Sequence, residues 1–258
     1  MLFKLSKSNV HSLTSVYKYC HSLENLPYHS LKAYHFQECI DQCQRSYATQ
    51  SAIKNLFRHL DRFALELDII NKSYHPLLTT DSIPEGNKAV FTQQERNLIW
   101  EKRNIDWMDS LLVFLYTGFR ISELLELKKE QVNLENETLT GGKKTKAGKN
   151  RIIPIHSKIL PLITQRMKMD GEFLFTMNGE QCTDSQYRTV WKRLMKELNM
   201  EHTPHECRHT FRSLLDSAGA NPVCIDRLMG HKSLGVGERI YTHKSIEELK
   251  ENIELVST

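Results

Sequence analysis

Five side chains in the second half of the chain, Arg120, His205, Arg208, His231 and Tyr241, supply two guanidiniums, two imidazoles and a phenol. Arginine forks grip the paired oxygens of a phosphate, an imidazole moves a proton or donates a hydrogen bond, and a deprotonated phenol is a nucleophile. The set suits attack on a phosphate diester without a metal or cofactor. Taken singly, each residue has a plainer reading: Arg120 as a surface arginine, His231 as an incidental Gly-His step, Tyr241 as a half-buried core or interface tyrosine. Their grouping carries the argument.

The local pattern sharpens these assignments. Arg120 follows a helix stop at Gly118, and Leu124, Leu125 and Leu127 are spaced to bury the next turn, leaving the guanidinium to face a cleft. Glu123 stands one helical turn on, within reach to hold the arginine fork. His205 and Arg208 are i and i+3 near a predicted helix N-terminus, where the amide field favours an anion, with Phe211, Leu214, Leu215 and Ala218 toward the core. A rival reading takes His202, His205, Cys207 and His209 as zinc ligands, since His205 and His209 are i and i+4. It lacks an acidic base between the histidines, and Arg208 would set a cation beside the metal.

Lys143, Lys144, Lys146, Lys149 and Arg151 crowd a stretch without acids, at the turn between two predicted strands. A solvated basic hairpin is the plain reading. The functional one is a tip that enters a DNA groove and meets phosphates.

In their order along the chain, Thr117-Gly118-Phe119-Arg120-Ile121-Ser122-Glu123-Leu124-Leu125, His205-Glu206-Cys207-Arg208, Met229-Gly230-His231 and Ile240-Tyr241-Thr242-His243 resemble the active-site signature of tyrosine recombinases. The chain looks closest to integrases of Gram-positive phages and integrative conjugative elements, from about Ala89 to the C-terminus. The resemblance implies that Arg120 and Arg208 are the catalytic arginines, Glu123 their accessory carboxylate, His205 the acceptor of the phenol proton, and His231 a further donor. Tyr241 would form a covalent 3′-phosphotyrosine. A hairpin lysine would protonate the leaving 5′ oxygen: Lys144, from the Lys144-Thr145 dipeptide, or Lys146, by counting back from Arg151 and Pro154. Lys143, Lys146, Lys149 and Arg151 would contact DNA.

The same resemblance implies site-specific integration and excision of a mobile element on double-stranded DNA at core-type sites. No metal or cofactor is expected; a dimer or tetramer joined on DNA through the C-terminal helix is, with accessory DNA-bending or excision factors. Such integrases often carry a further arm-binding domain, so a truncated or compact member is expected. Two alternatives share the scaffold: a type IB topoisomerase and a non-catalytic DNA-binding regulator.

The positioning elements follow from periodicity. Ile53, Leu56, Phe57, Leu60, Phe63, Ala64 and Leu67 recur at helical spacing, and weaker patterns cover about residues 9–22 and 31–44. Periodicity stops between Leu77 and Lys88, in residues typical of a connector. Thr92-Gln93-Gln94-Glu95 and Ser245-Ile246-Glu247-Glu248 form capping boxes, and Thr203-Pro204 and Asn221-Pro222 start helices. Asp106 to Thr117 reads as a buried helix and Val132 to Ile155 as short strands. The expected fold is mainly α with a small antiparallel β-sheet: a helical core-binding domain over 1–78, a linker over 79–88, and a mixed α/β catalytic domain over 89–258.

Composition sets outer bounds. The 258 residues carry a net charge of +4, which permits a polyanionic partner without demanding one. The cysteines lack paired CxxC spacing and follow no secretory signal, so reduced thiols are expected. Leu111 to Tyr116 is the longest apolar run, far short of the roughly 20 residues of a membrane span. A soluble cytoplasmic protein, acting at the bacterial nucleoid without a membrane partner, is expected.

Overall fold

The computed structural model describes residues 7–82, 89–142, 150–231 and 244–256. The chain divides into two compact units, Met1–Gly86 and Asn87–Thr258.

In the first unit, helix α1 (Lys7–Tyr17) runs into a 3-10 turn, followed by α2 (Ala33–Gln42) and α3 (Tyr47–Glu66). Leu13 and Val16 of α1, Phe36 and Ile40 of α2, and Ile53, Leu56 and Phe57 of α3 form the core, with the Phe36 and Phe57 rings 4.5 Å apart. Burying each large apolar side chain contributes about 1.5–3 kcal/mol. Phe63 and Leu67, expected on the buried stripe, are exposed. Leu67 is already the C-cap of α3, so helical phase no longer governs it, and Phe63 edges an apolar groove shared with Val10, Leu13 and Tyr17.

Packing also continues past the point where periodicity stops. Leu78 is buried, the Thr79 amide donates to Gln37, and the Asp81 amide donates to Gln50, whose own amide donates back to Asp81. The early part of the expected linker is therefore fastened to the first unit, by side chains whose partners lie more than thirty residues away. Residues 83–88 lie outside the described residues.

The second unit is built around α5 (Met108–Thr117), in which every side chain except Asp109 is buried. The helix begins after Trp107, which takes φ +69°, two residues later than the apolar pattern suggests. Before it comes α4 (Gln93–Glu101), started by Thr92, whose hydroxyl accepts from the Glu95 amide while Glu95 accepts from the Thr92 amide. After α5, Gly118 at φ +59° ends the helix, and α6 (Ile121–Leu125) follows at once.

Strands β1 (Val132–Asn133), β2 (Thr138–Gly141) and β3 (Arg151–Pro154) form an antiparallel sheet in that order, with Leu139 opposite Ile153 and Gly141 opposite Arg151. Leu139 and Ile153 enter the core. Helix α7 (Leu160–Met167), a small hairpin of β4 (Thr176–Met177) and β5 (Glu180–Gln181), and α8 (Asp184–Leu198) lead to α9 (Pro204–Ser217) and α10 (Pro222–Met229). Phe211 and Leu215 of α9 are fully buried, while Ala218, expected on the same face, is exposed as the C-cap.

The last helix, α11 (Ile246–Glu254), starts at Ser245 and buries Leu249 and Ile253, with Val256 beyond it, on its own domain. His156 Nε2 meets the Val256 carbonyl at 3.0 Å, and Glu254 accepts from the amide and hydroxyl of Ser157. Leu249, Ile253 and Val256 are thus covered in cis, while Ile246 is exposed. Six free cysteines are all buried, and among the described residues no helix is long and apolar enough to cross a membrane. The architecture is mainly helical with small antiparallel sheets.

Candidate active site

Glu123 is the hub of the first half of the site. Its Oε1 accepts from Arg120 Nη1 at 2.7 Å and from Arg151 Nη1 at 3.1 Å, while Oε2 accepts from the Arg120 amide at 2.9 Å and from Arg151 Nη2 at 3.0 Å. Side-chain exposure falls from 22% at Arg120 to 4% at Arg151 and 3% at Glu123, so the pair behind is dry and the front guanidinium meets solvent. Burial alone would raise the Glu123 carboxyl, but the Arg151 fork and then Arg120 outweigh it and hold the group below the ordinary carboxylate range.

Arg151 corrects an expectation. Placed by sequence among the DNA-facing cations, it turns inward, pairs through both terminal nitrogens with Glu123, and lies 5.2 Å above the Phe119 ring. The register decides this: Arg151 faces Gly141, whose missing side chain leaves room for Phe119, since a Cβ there would come within 2.6 Å of that ring. Both terminal nitrogens of this guanidinium are committed to Glu123 and the side chain is buried.

The second half comes from α9 and the end of α10. Arg208 is buried, donating from Nη1 to the Gly118 carbonyl at 2.6 Å and from Nη2 to the Met229 carbonyl. His231 follows Gly230, which closes α10 at φ +63°, and its Nε2 lies 3.1 Å from Arg208 Nη2. Its Nδ1 lies 3.2 Å from Arg212 Nη1 and 3.9 Å from Asp226. Burial, then Arg208 and Arg212, keep His231 below its ordinary range, so the ring is neutral near pH 7. His205 is exposed on the first turn of α9, its ring edge-on to His209 at 4.7 Å.

The two halves feel each other. Arg208 is pushed down to about 9 by burial first, then by the positive charges of Arg120 and Arg151, with Glu123 offsetting part of this. Arg120, Arg151 and Arg212 thus all weigh on Arg208, and Glu123 is the carboxylate that offsets them. Such a cluster is short of negative charge. A phosphate would relieve the repulsion and take charge-assisted hydrogen bonds from the outward-facing forks.

Arg212 escaped the sequence reading. Its signal was present: it lies four residues beyond Arg208, on the same helical face, but only the fold shows that His231 comes beside it. Lys143, Lys144, Lys146, Lys149 and Tyr241 lie outside the described residues. As for zinc, the His202 ring is taken by Glu206 at 2.6 Å and Glu95 at 3.2 Å and stacks on Phe91, while Cys207 is sealed in the core. Among the described residues no three His, Cys, Asp or Glu side chains gather as metal ligands.

Known proteins resemble this chain in both sequence and fold. Tyrosine recombinase XerA of Pyrococcus furiosus is 36% identical over 190 residues, covering 69% of this chain and 65% of that protein. Tyrosine recombinase XerC of Rickettsia canadensis is 34% identical over 221 residues, covering 77% of this chain and 68% of its own. The chain thus spans about two thirds of the length of these curated relatives. In fold, the Tn1549 transposon integrase, solved with circular intermediate DNA, aligns with TM-score 0.76 at 23% identity over 98% of this chain and 95% of that one. A lambda integrase dimer bound to a COC′ core site aligns with TM-score 0.73 at 15% identity over 94% and 93%. Residues 85–248 match the model of the phage integrase family. With the arginines, histidine and carboxylate gathered on that fold, the chain belongs to the phage integrase family.

Proposed function

We propose that the protein is a site-specific DNA recombinase that cuts and rejoins strands through a covalent 3′-phosphotyrosine. The observation that carries this reading is the gathering of arginines beside Glu123 and His231, with the imidazole standing between Arg208 and Arg212.

Arg120 and Arg208 stabilise the non-bridging oxygens as charge builds in the pentacoordinate state, and His231 adds a donor. Tyr241 Oη forms the new bond to phosphorus while the bond to the 5′ oxygen breaks. The phenol, with an ordinary pKa of roughly 10, gives its proton to His205. Lys144, or Lys146 in its place, protonates the departing oxygen. One ester replaces another, so no hydrolysis and no nucleotide is needed, and the partner strand's hydroxyl reverses the step.

Double-stranded DNA with core-type sites is the proposed substrate, held by Lys143, Lys146 and Lys149 as well as by the cluster. We assign the first unit as a core-binding domain and the activity to integration and excision of a mobile element, supported by the likeness to transposon and lambda integrases. Assembly into a dimer or tetramer through α11 would require the cis contacts of Leu249, Ile253 and Val256 to be remade on a neighbour.

A suicide substrate tests the proposal: a nicked duplex carrying a site that the protein selects from random-sequence DNA. The expected product is an EDTA-insensitive adduct mapped to Tyr241, together with recombinant joints when paired sites are supplied. Adducts without joints would indicate a topoisomerase, and binding without adducts a regulator; either refutes the recombinase reading.

A further inference from the structure

Each nitrogen of the His231 ring faces an arginine N–H: Nε2 meets Arg208 at 3.1 Å and Nδ1 meets Arg212 at 3.2 Å. A neutral imidazole has one acceptor nitrogen and one N–H, so it can accept from only one of the two. The Arg208 contact draws the ring proton to Nδ1, where the nearest acid is Asp226 at 3.9 Å. The Arg212 contact draws it to Nε2. The pair as it stands is a competition between two tautomers.

We propose that Arg212 is a positioning residue that donates to His231 Nδ1 and so places the ring proton on Nε2, facing the phosphate. The inference rests on the recombinase reading of the site. Arg208 spends two of its N–H groups on the Gly118 and Met229 carbonyls, which fix its plane, and the N–H that meets His231 is free to turn to a non-bridging oxygen. Once a phosphate accepts that N–H, Arg212 is, among the described residues, the remaining arginine donor to the ring. Nδ1 then accepts, Nε2 carries the proton, and the imidazole and Arg208 address the same anion as parallel donors.

The surroundings favour this outcome. Arg208 and Arg212 come from α9, Asp226 from α10 and Arg120 from the start of α6, and the three arginines oppose a second proton on the ring while Asp226 favours it. Burial acts in the same direction as the arginines, so His231 enters with a single proton to place. Arg212 itself is exposed, and shortening it leaves the buried face of α9 intact.

The test combines nitrogen NMR with cleavage. Histidine-labelled protein, with the His231 signals assigned by a His231→Gln control, is measured in inorganic phosphate. The wild type should show the Nε2–H form, Arg212→Ala should move the ring toward Nδ1–H, and Arg212→Lys, which still donates, should restore Nε2–H. Single-turnover cleavage of the nicked duplex at saturating DNA should fall on the order of 10²-fold in Arg212→Ala, the loss typical of one transition-state donor, and recover in Arg212→Lys. An unchanged tautomer across the variants overturns the proposal, as does a shifted tautomer with unchanged cleavage. If the tautomer responds as expected but the wild-type protein cuts no DNA, the role of Arg212 on the ring stands and the recombinase reading falls.

Discussion

The main-chain carbonyl of Gly118 accepts a hydrogen bond of 2.6 Å from Nη1 of Arg208, ninety residues further along the chain. The same glycine stops α5, and Arg120 follows two residues later. A single backbone turn therefore sets where one arginine leaves the main chain and anchors the plane of the other. Phe211, one helical turn beyond Arg208, fills the space that a side chain on Gly118 would need.

Gly118→Ala should cost about 2–4 kcal/mol. A Cβ at φ +59° carries roughly 1 kcal/mol of backbone strain, and its 2.5 Å approach to Phe211 Cδ1 adds an overpacking penalty of about 1–3 kcal/mol. Urea denaturation measures the loss. Adding Phe211→Leu should recover part of it in a double-mutant cycle; purely additive losses would show that contact with Phe211 is not the cause.

Glu123→Gln should destabilise by about 3–5 kcal/mol at neutral pH, because Arg151 is left buried beside a neutral amide. The Glu123 carboxyl lies below its ordinary range in the folded state, so its contribution is complete above the unfolded carboxylate value and is lost as pH falls through the folded one. The gap between wild type and variant should therefore narrow toward acid. Urea midpoints across that range decide; a constant gap would mean the charge of Glu123 plays no part.

Arg151→Ala and Lys149→Ala should behave oppositely. The first removes a buried ion-pair partner and should lower stability by about 3–5 kcal/mol without changing the salt dependence of DNA binding. The second should leave melting unchanged and reduce the slope of log affinity against log salt by about 1. A flattened slope in Arg151→Ala would return that residue to the DNA surface.

Tyr241→Phe should bind DNA as the wild type does and form no covalent complex, since only the nucleophilic oxygen is lost. Denaturing gels of the trapped reaction provide the readout. Adducts that persist in the Phe variant would place the nucleophile elsewhere.

Lys144→Ala should slow cleavage with DNA saturating, and a 5′-bridging phosphorothioate, whose sulfur leaves without protonation, should restore much of the rate. Rescue of Lys146→Ala instead would identify Lys146 as the general acid.

Helix boundaries and the order of the chemical groups were legible in the sequence because both are local. Thr92, Ser245 and Asn221-Pro222 start helices by satisfying or omitting nearby amides, and Gly118 and Gly230 stop them because a residue without Cβ turns left-handed at little cost. The separation of Arg120 and Glu123 by one turn likewise needs no tertiary information. Partner choice does. Arg151 belongs to a basic run, and only the pairing of β2 with β3 reveals that it turns toward Glu123, twenty-eight residues earlier. Arg212 gains its role when α10 delivers His231 beside α9, and Gln37 and Gln50 reach backbone amides that periodicity had assigned to a linker. A side chain's type and phase are written in its own segment, but its partner is set by which distant segment packs against it.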